Sequence, residues 1–230
     1  GRGVSSNSAS ADVLALLGIS LDLTPEQVGF SIDQLGLGFM YAPNYHQAMR
    51  FAAPIRAELK IRTVFNILGP LLNPAGAARQ LTGVFHPDLV GILVRVLERL
   101  GSTHALIVHG LEGLDEISIT GPTMVAELQN GWIREYEIQP EQFGIPASEN
   151  DMLHVENAAQ SAAMVLSVLE GKKGVARNIV LLNAGATVFT SGQAGSIEEG
   201  VVQCAEAIDS GAAYRKLEAL RAFSQAAVAQ

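Results

Sequence analysis

The sequence predicts an α/β fold, a central mixed sheet flanked by helices, on three observations. Short apolar runs with strand character alternate with longer segments of helical period. The most apolar of the short runs, 104–109, follows directly on an amphipathic helical segment. Two further strand patterns surround an Asn130-Gly131 pair, a strong hairpin signal. Strands embedded among helices call for layers sharing a core. With 230 residues, 48% of them hydrophobic, that core can be large, and the whole chain, 1–230, reads as one large α/β domain.

The elements follow in order. Residues 11–17 have helical period behind Ser10, with Gly18 past their end. Thr24-Pro25-Glu26-Gln27 supplies a cap, a proline at the first helical position and a capping-box glutamine. The helix it opens runs to about Leu35, where Gly36 and Gly38 end it; 39–41 is a short extended piece. Residues 44–59 are helical, with His46, Met49, Ala53 and Arg56 on one side and Phe51, Ile55 and Leu59 nearly opposite. Pro54 kinks or splits that helix. Gly69-Pro70 and Asn73-Pro74 mark loops. A strand at 80–85, a helix at 87–100 and the buried strand 104–109 come next, then an acidic, glycine-containing loop at 110–116. Residues 117–120, 123–129 and 132–139 read as strands. Helices follow at 155–169 and 175–189, from the capping box Ser196-Ile197-Glu198-Glu199 to about Ser210, and at 212–227.

Composition narrows the function classes. A net charge of -8 argues against a broad nucleic-acid surface, so an anionic ligand must be met by local groups. The single Cys204 rules out an internal disulfide and suits a buried structural thiol in a reducing, cytoplasmic setting. No apolar run approaches the roughly 18 residues of a membrane span. The chain starts at Gly1-Arg2, inside a loop and without an initiator Met, so an upstream region holding part of the site is expected.

Three stretches carry candidate chemistry. Residues 1–10, GRGVSSNSAS, place glycines, hydroxyls and an arginine before a helix; they read as an N-cap or as a loop that surrounds an anion. Arg56 can clamp a carboxylate or form a surface ion pair, and His46 can be a polar wall, a base or a cap. Asp115-Glu116, past the strand 104–109, form an ordinary acidic turn or a Mg²⁺ site of hard oxygen ligands. The histidines and Cys204 do not make a zinc-ligand spacing, and no nucleophile-elbow, Walker or dinucleotide-binding glycine motif occurs.

In this order the residues resemble the anthranilate phosphoribosyltransferases. The match runs through Arg2-Gly-Val-Ser5-Ser6-Asn-Ser-Ala-Ser10, Gly38-Phe-Met-Tyr-Ala-Pro43 with His46 and Met49, and Ile55-Arg56. It continues through Phe65-Asn-Ile-Leu-Gly-Pro-Leu, Gly113-Leu-Asp115-Glu116 and Leu181-Leu-Asn183-Ala, covering essentially the whole chain. The resemblance implies the large domain of the nucleoside phosphorylase/phosphoribosyltransferase-like fold, with 44–75 packed on an upstream helical domain. It implies that phosphoribosyl pyrophosphate (PRPP) is bound by Arg2, Gly3, Val4, Ser5, Ser6 and Ser10. It assigns anthranilate to Arg56, His46 and Gly1, and Mg²⁺ to Asp115 and Glu116. The implied activity is transfer of the phosphoribosyl group to anthranilate in tryptophan biosynthesis, by a cytoplasmic homodimer without nucleic-acid or membrane partners. The family's Gly-Thr-Gly-Gly-Asp loop is absent from this sequence, so the 230 residues alone are expected to be weakly active or inactive. The alternatives are a pyrimidine nucleoside phosphorylase, whose His-Thr-Gly-Gly is here replaced by Ser-Ser-Asn-Ser, and a non-catalytic binding relative.

Overall fold

A computed structural model describes residues 10–45, 65–148 and 153–228. In chain order the elements are α1 (Ser10–Leu16), α2 (Pro25–Leu35), helical turns at Ala42–Tyr45 and Phe65–Leu68, and β1 (Arg79–Gly83). Then come α3 (Asp88–Arg99), β2 (His104–Gly110), β3 (Thr123–Gln129), β4 (Trp132–Ile138), α4 (Ala158–Leu169), α5 (Val175–Ser191), α6 (Ile197–Asp209) and α7 (Ala212–Val228). They form two compact units: one draws on Gly1–Thr63, His154–Lys172 and Ile208–Gln230, the other on Val64–Leu153 and Lys173–Ala207.

The first unit is helical. Val13, Leu17, Ile19, Ala162, Leu217 and Leu220 are buried together where α1 and α7 meet α4. Thr24 opens α2 as its sequence requires: its hydroxyl accepts from the Gln27 N–H and the Gln27 side chain accepts from the Thr24 N–H. The exposed carbonyls at two helix ends are taken by α7. Arg221 Nε donates to Leu17 O at 2.7 Å and Gln225 Nε2 to Gly18 O at 2.9 Å, while Lys216 Nζ donates to Leu35 O at 2.6 Å. Positive side chains are favoured there by the partial negative charge of a helix C-terminus.

The second unit holds the expected mixed sheet, in the order β1-β2-β3-β4. β1 and β2 run parallel, whereas β2–β3 and β3–β4 are antiparallel. The hairpin between β3 and β4 turns through Asn130 (φ 50°) and Gly131 (φ 84°), the two left-handed residues that a two-residue turn of matching twist demands. α3 packs on one face, burying Val90, Leu93, Val94 and Leu97 against Ala105, Ile107, Ala126 and Leu128. α5 packs against β1 and β2 from the other, with Phe189 edge-on to His104. Coverage of both faces explains why all seven residues of β2 are buried and why its sequence is apolar without alternation.

One expected strand is not formed. Residues 117–120 are irregular, although Ile117, Ser118 and Ile119 are buried. Side chains and a distant loop take the bonds a ladder would have used: Asn183 bonds Ile117, Thr123 Oγ1 accepts from Ser118 N, Ser118 Oγ from Thr120 N, and Ile119 O accepts from Ser148 N. The apolar pattern reports the burial; the backbone pairing goes elsewhere. Residues 39–41 are likewise irregular, and of the helix expected at 44–59 only Asn44 and Tyr45 are described, closing a helical turn. Among the described residues no helix is long and apolar enough to cross a membrane.

Candidate functional site

Because β1 and β2 are parallel, their carboxyl ends lie side by side, with Gly83 opposite Val108. Ligands of α/β sheets bind beyond such ends. The loop leaving β2 folds back at once: Gly110 N donates to Leu114 O at 2.8 Å, and Gly113, at φ 102°, donates to Gly110 O at 2.8 Å. This turn presents Asp115 and Glu116 to solvent.

The loop is held on three sides. At β1, Gly83 has no side chain where a Cβ would stand 1.5 Å from Asp115 O, so only glycine lets the strand end touch the acidic turn. From α5, the Asn183 side chain bonds both backbone polar groups of Ile117. Within the loop, the Glu112 carboxylate accepts from Ser118 Oγ and, at 2.8 Å, from Thr120 Oγ1.

Asp115 and Glu116 are adjacent carboxylates that the turn keeps together. Glu116 keeps part of its surface in water, but partial burial of its carboxyl raises its pKa, and the negative charge of Asp115 raises it further. A divalent cation is the natural counter-charge for such a pair. Mg²⁺ suits it, because that ion commonly takes one or two carboxylates and completes its shell with waters and phosphate oxygens. Among the described residues no three or more His, Cys, Asp or Glu side chains gather for a metal, which leaves a pair and not a protein-only cage.

The remaining expected site residues are reached unevenly. Ser10 is exposed at the first position of α1, in the first unit. Gly1, Arg2, Gly3, Val4, Ser5, Ser6, His46 and Arg56 lie outside the described residues. His86 and His109 make backbone contacts. His86 Nδ1 accepts from Asp88 N at 3.2 Å at the start of α3, and buried His109 places Nδ1 2.7 Å from Val84 O. Cys204 is half-buried, and burial pushes its thiol pKa up, away from a nucleophile.

Sequence reading missed a polar cluster within the sheet. Glu127, 1% exposed, accepts from Tyr136 OH at 2.7 Å and from Arg134 Nη2 at 2.9 Å, and its other oxygen lies 3.5 Å from His104 Nε2. Sequence alternation would place Glu127 and His104 on one face once the β2–β3 register is known, but that register is not local information. Asn183 stood among the residues that carry the resemblance but without a role, and Gly83 was not singled out, because what each of them touches is not local information either.

Residues 1–214 match the model of the family described as "Glycosyl transferase family, a/b domain". The chain is 60% identical over 225 residues to the anthranilate phosphoribosyltransferase of Chromobacterium violaceum, covering 98% of this chain and 66% of that protein. It is 54% identical over 227 residues to that of Methylobacillus flagellatus, covering 99% and 67%. It thus spans about two thirds of the length of these curated relatives. The anthranilate phosphoribosyltransferase from Thermus thermophilus superposes with a TM-score of 0.90 at 42% identity, over 97% of this chain and 67% of that one. The Saccharomyces cerevisiae enzyme in complex with PRPP and Mg superposes with a TM-score of 0.88 at 27% identity, over 98% and 63%.

Proposed function

The chain belongs to the glycosyl transferase family defined by that a/b domain, and from this membership we propose that it carries the phosphoribosyl-transfer machinery of an anthranilate phosphoribosyltransferase. The observation that carries the reading is the paired Asp115 and Glu116 carboxylates, held against the carboxyl ends of two parallel strands.

The reaction forms a bond between the anthranilate nitrogen and the anomeric carbon of PRPP while the bond from that carbon to pyrophosphate breaks, and the amine proton leaves to solvent. Asp115 and Glu116 are the residues that would hold Mg²⁺, which when bound supplies positive charge to the departing pyrophosphate. Arg2, Gly3, Val4, Ser5, Ser6 and Ser10 hold PRPP oxygens through hydroxyls, N–H groups and one guanidinium, as a protein of net charge -8 must. Arg56 places the anthranilate carboxylate bidentately, with His46 and Gly1 beside the aromatic ring. An aromatic amine is already nucleophilic, so these residues act by positioning and electrostatics and not as a strong base. The reading carries with it a cytoplasmic homodimer.

The test is loss of anthranilate fluorescence when the purified chain meets anthranilate, PRPP and MgCl₂. Weak turnover that disappears in Asp115→Asn/Glu116→Gln supports the reading. Phosphorolysis of uridine or thymidine, with no use of anthranilate, would overturn it.

A further inference from the structure

Resting on the reading that Asp115 and Glu116 hold the metal, we propose that Asn183 is the positioning residue that fixes them, its side-chain amide standing in for the strand that Ile117 lacks. Asn183 Oδ1 accepts from Ile117 N at 2.9 Å, and Nδ2 donates to Ile117 O at 2.9 Å and to Ile179 O at 3.0 Å. Both amide hydrogens and one oxygen lone pair are therefore used, and reversing the amide would set oxygen against oxygen.

Ile117 is 1% exposed, so water does not replace these bonds. Its two backbone groups sit immediately after Glu116, and the Gly83 contact sits on the carbonyl of Asp115. The carboxylate pair is thus bracketed by one attachment to β1 and one to α5. Asn183 lies in the middle of α5, whose Leu182 and Ala186 are fully buried, so the attachment point is rigid. The amide reaches 66 residues along the chain, which excludes a merely local turn-forming role.

The experiment titrates the purified chain with Mn²⁺, a hard cation accepted by oxygen ligands, and reads bound metal by electron paramagnetic resonance. Asn183→Ala is expected to weaken Mn²⁺ binding by about 10-fold or more, the usual cost of losing a partner that orients metal ligands. Thr190→Val is the control: it removes a buried helix hydroxyl bonded to Ala186 O on the same helix and is expected to keep wild-type affinity. Should Asn183→Ala not fold, Asn183→Asp carries the test, since it keeps the size of the side chain and the acceptor for Ile117 N but loses the donor. The charge it adds would by itself favour the cation, so weaker binding there reports position. Wild-type affinity in Asn183→Ala, or in Asn183→Asp where the alanine variant does not fold, or equal loss in Thr190→Val, overturns the proposal and leaves the carboxylates standing. If the wild-type chain binds Mn²⁺ no better than Asp115→Asn/Glu116→Gln, the metal reading fails, and Asn183's role with it.

Discussion

The backbone of Gly83 and the carbonyl of Asp115 are in direct contact, with no room between them for a methyl group. Gly83→Ala would place Cβ 1.5 Å from Asp115 O and 2.4 Å from its carbon, so β1 or the acidic turn must move. Overpacking of this kind costs about 1–3 kcal/mol. We expect a lower urea midpoint together with weakened Mn²⁺ uptake. Unchanged values for both would show that the strand end and the turn are independent.

Gly185 and Gly200 make a second close approach, between α5 and α6. A Cβ on Gly200 would stand 2.2 Å from Gly185 O, and one on Gly185 would stand 2.6 Å from Val201 N. Helix propensity alone favours alanine over glycine by about 1 kcal/mol. Either substitution should nevertheless lower the thermal midpoint, because the obstacles are backbone atoms that cannot rotate away. A raised midpoint in Gly200→Ala would mean the helices separate easily.

Tyr136 and Arg134 share one oxygen of Glu127, but not equally. Arg134 is 67% exposed, so water screens its contribution. The Tyr136 bond is the better shielded, and Tyr136→Phe should cost about 1.5–3 kcal/mol, as for other hydrogen bonds to a charged group. Chemical unfolding of Tyr136→Phe and Arg134→Ala side by side checks the ranking.

His104 gives the second unit a pH dependence. Burial holds its pKa below the ordinary 6.5; Glu127 and a bond to the Thr190 backbone oppose this, and Arg79 reinforces it. The unfolded chain therefore binds a proton more readily than the folded one. Stability from this residue is present above 6.5 and is lost as pH falls from there toward the lower folded value. Unfolding measured from about pH 7 to pH 5 should show that loss, and His104→Gln should flatten it.

Local chemistry was legible and long-range pairing was not. Thr24 and Gln27 form the capping box their spacing announces, and Asn130-Gly131 turns the hairpin its dihedral needs dictate. Ser196 also caps as expected, its hydroxyl accepting from Glu199 N, but the Glu199 carboxylate reaches back to Gly195 N and not to Ser196 N. At 117–120 the pattern of apolar residues reported burial faithfully. It could not report that a side chain 66 residues away would take the backbone bonds. The Asp115-Glu116 pair was visible as two letters; that Gly83 and Asn183 bracket it depends on the register of β1 and the packing of α5, which no local window contains.

The capping of α1 by α7 sets an order of assembly. Leu17 and Gly18 wait for donors on Arg221 and Gln225, 204 and 207 residues later, and Ser20 waits for Ser224. The four strands are complete by Ile138, and the helices on their two faces by Ser191. As the chain leaves the ribosome, the sheet and its two covering helices are therefore made before the α7 partners of Leu17, Gly18 and Ser20. A premature stop before residue 221 would leave the carbonyls of Leu17 and Gly18 without these α7 donors even when the sheet is whole.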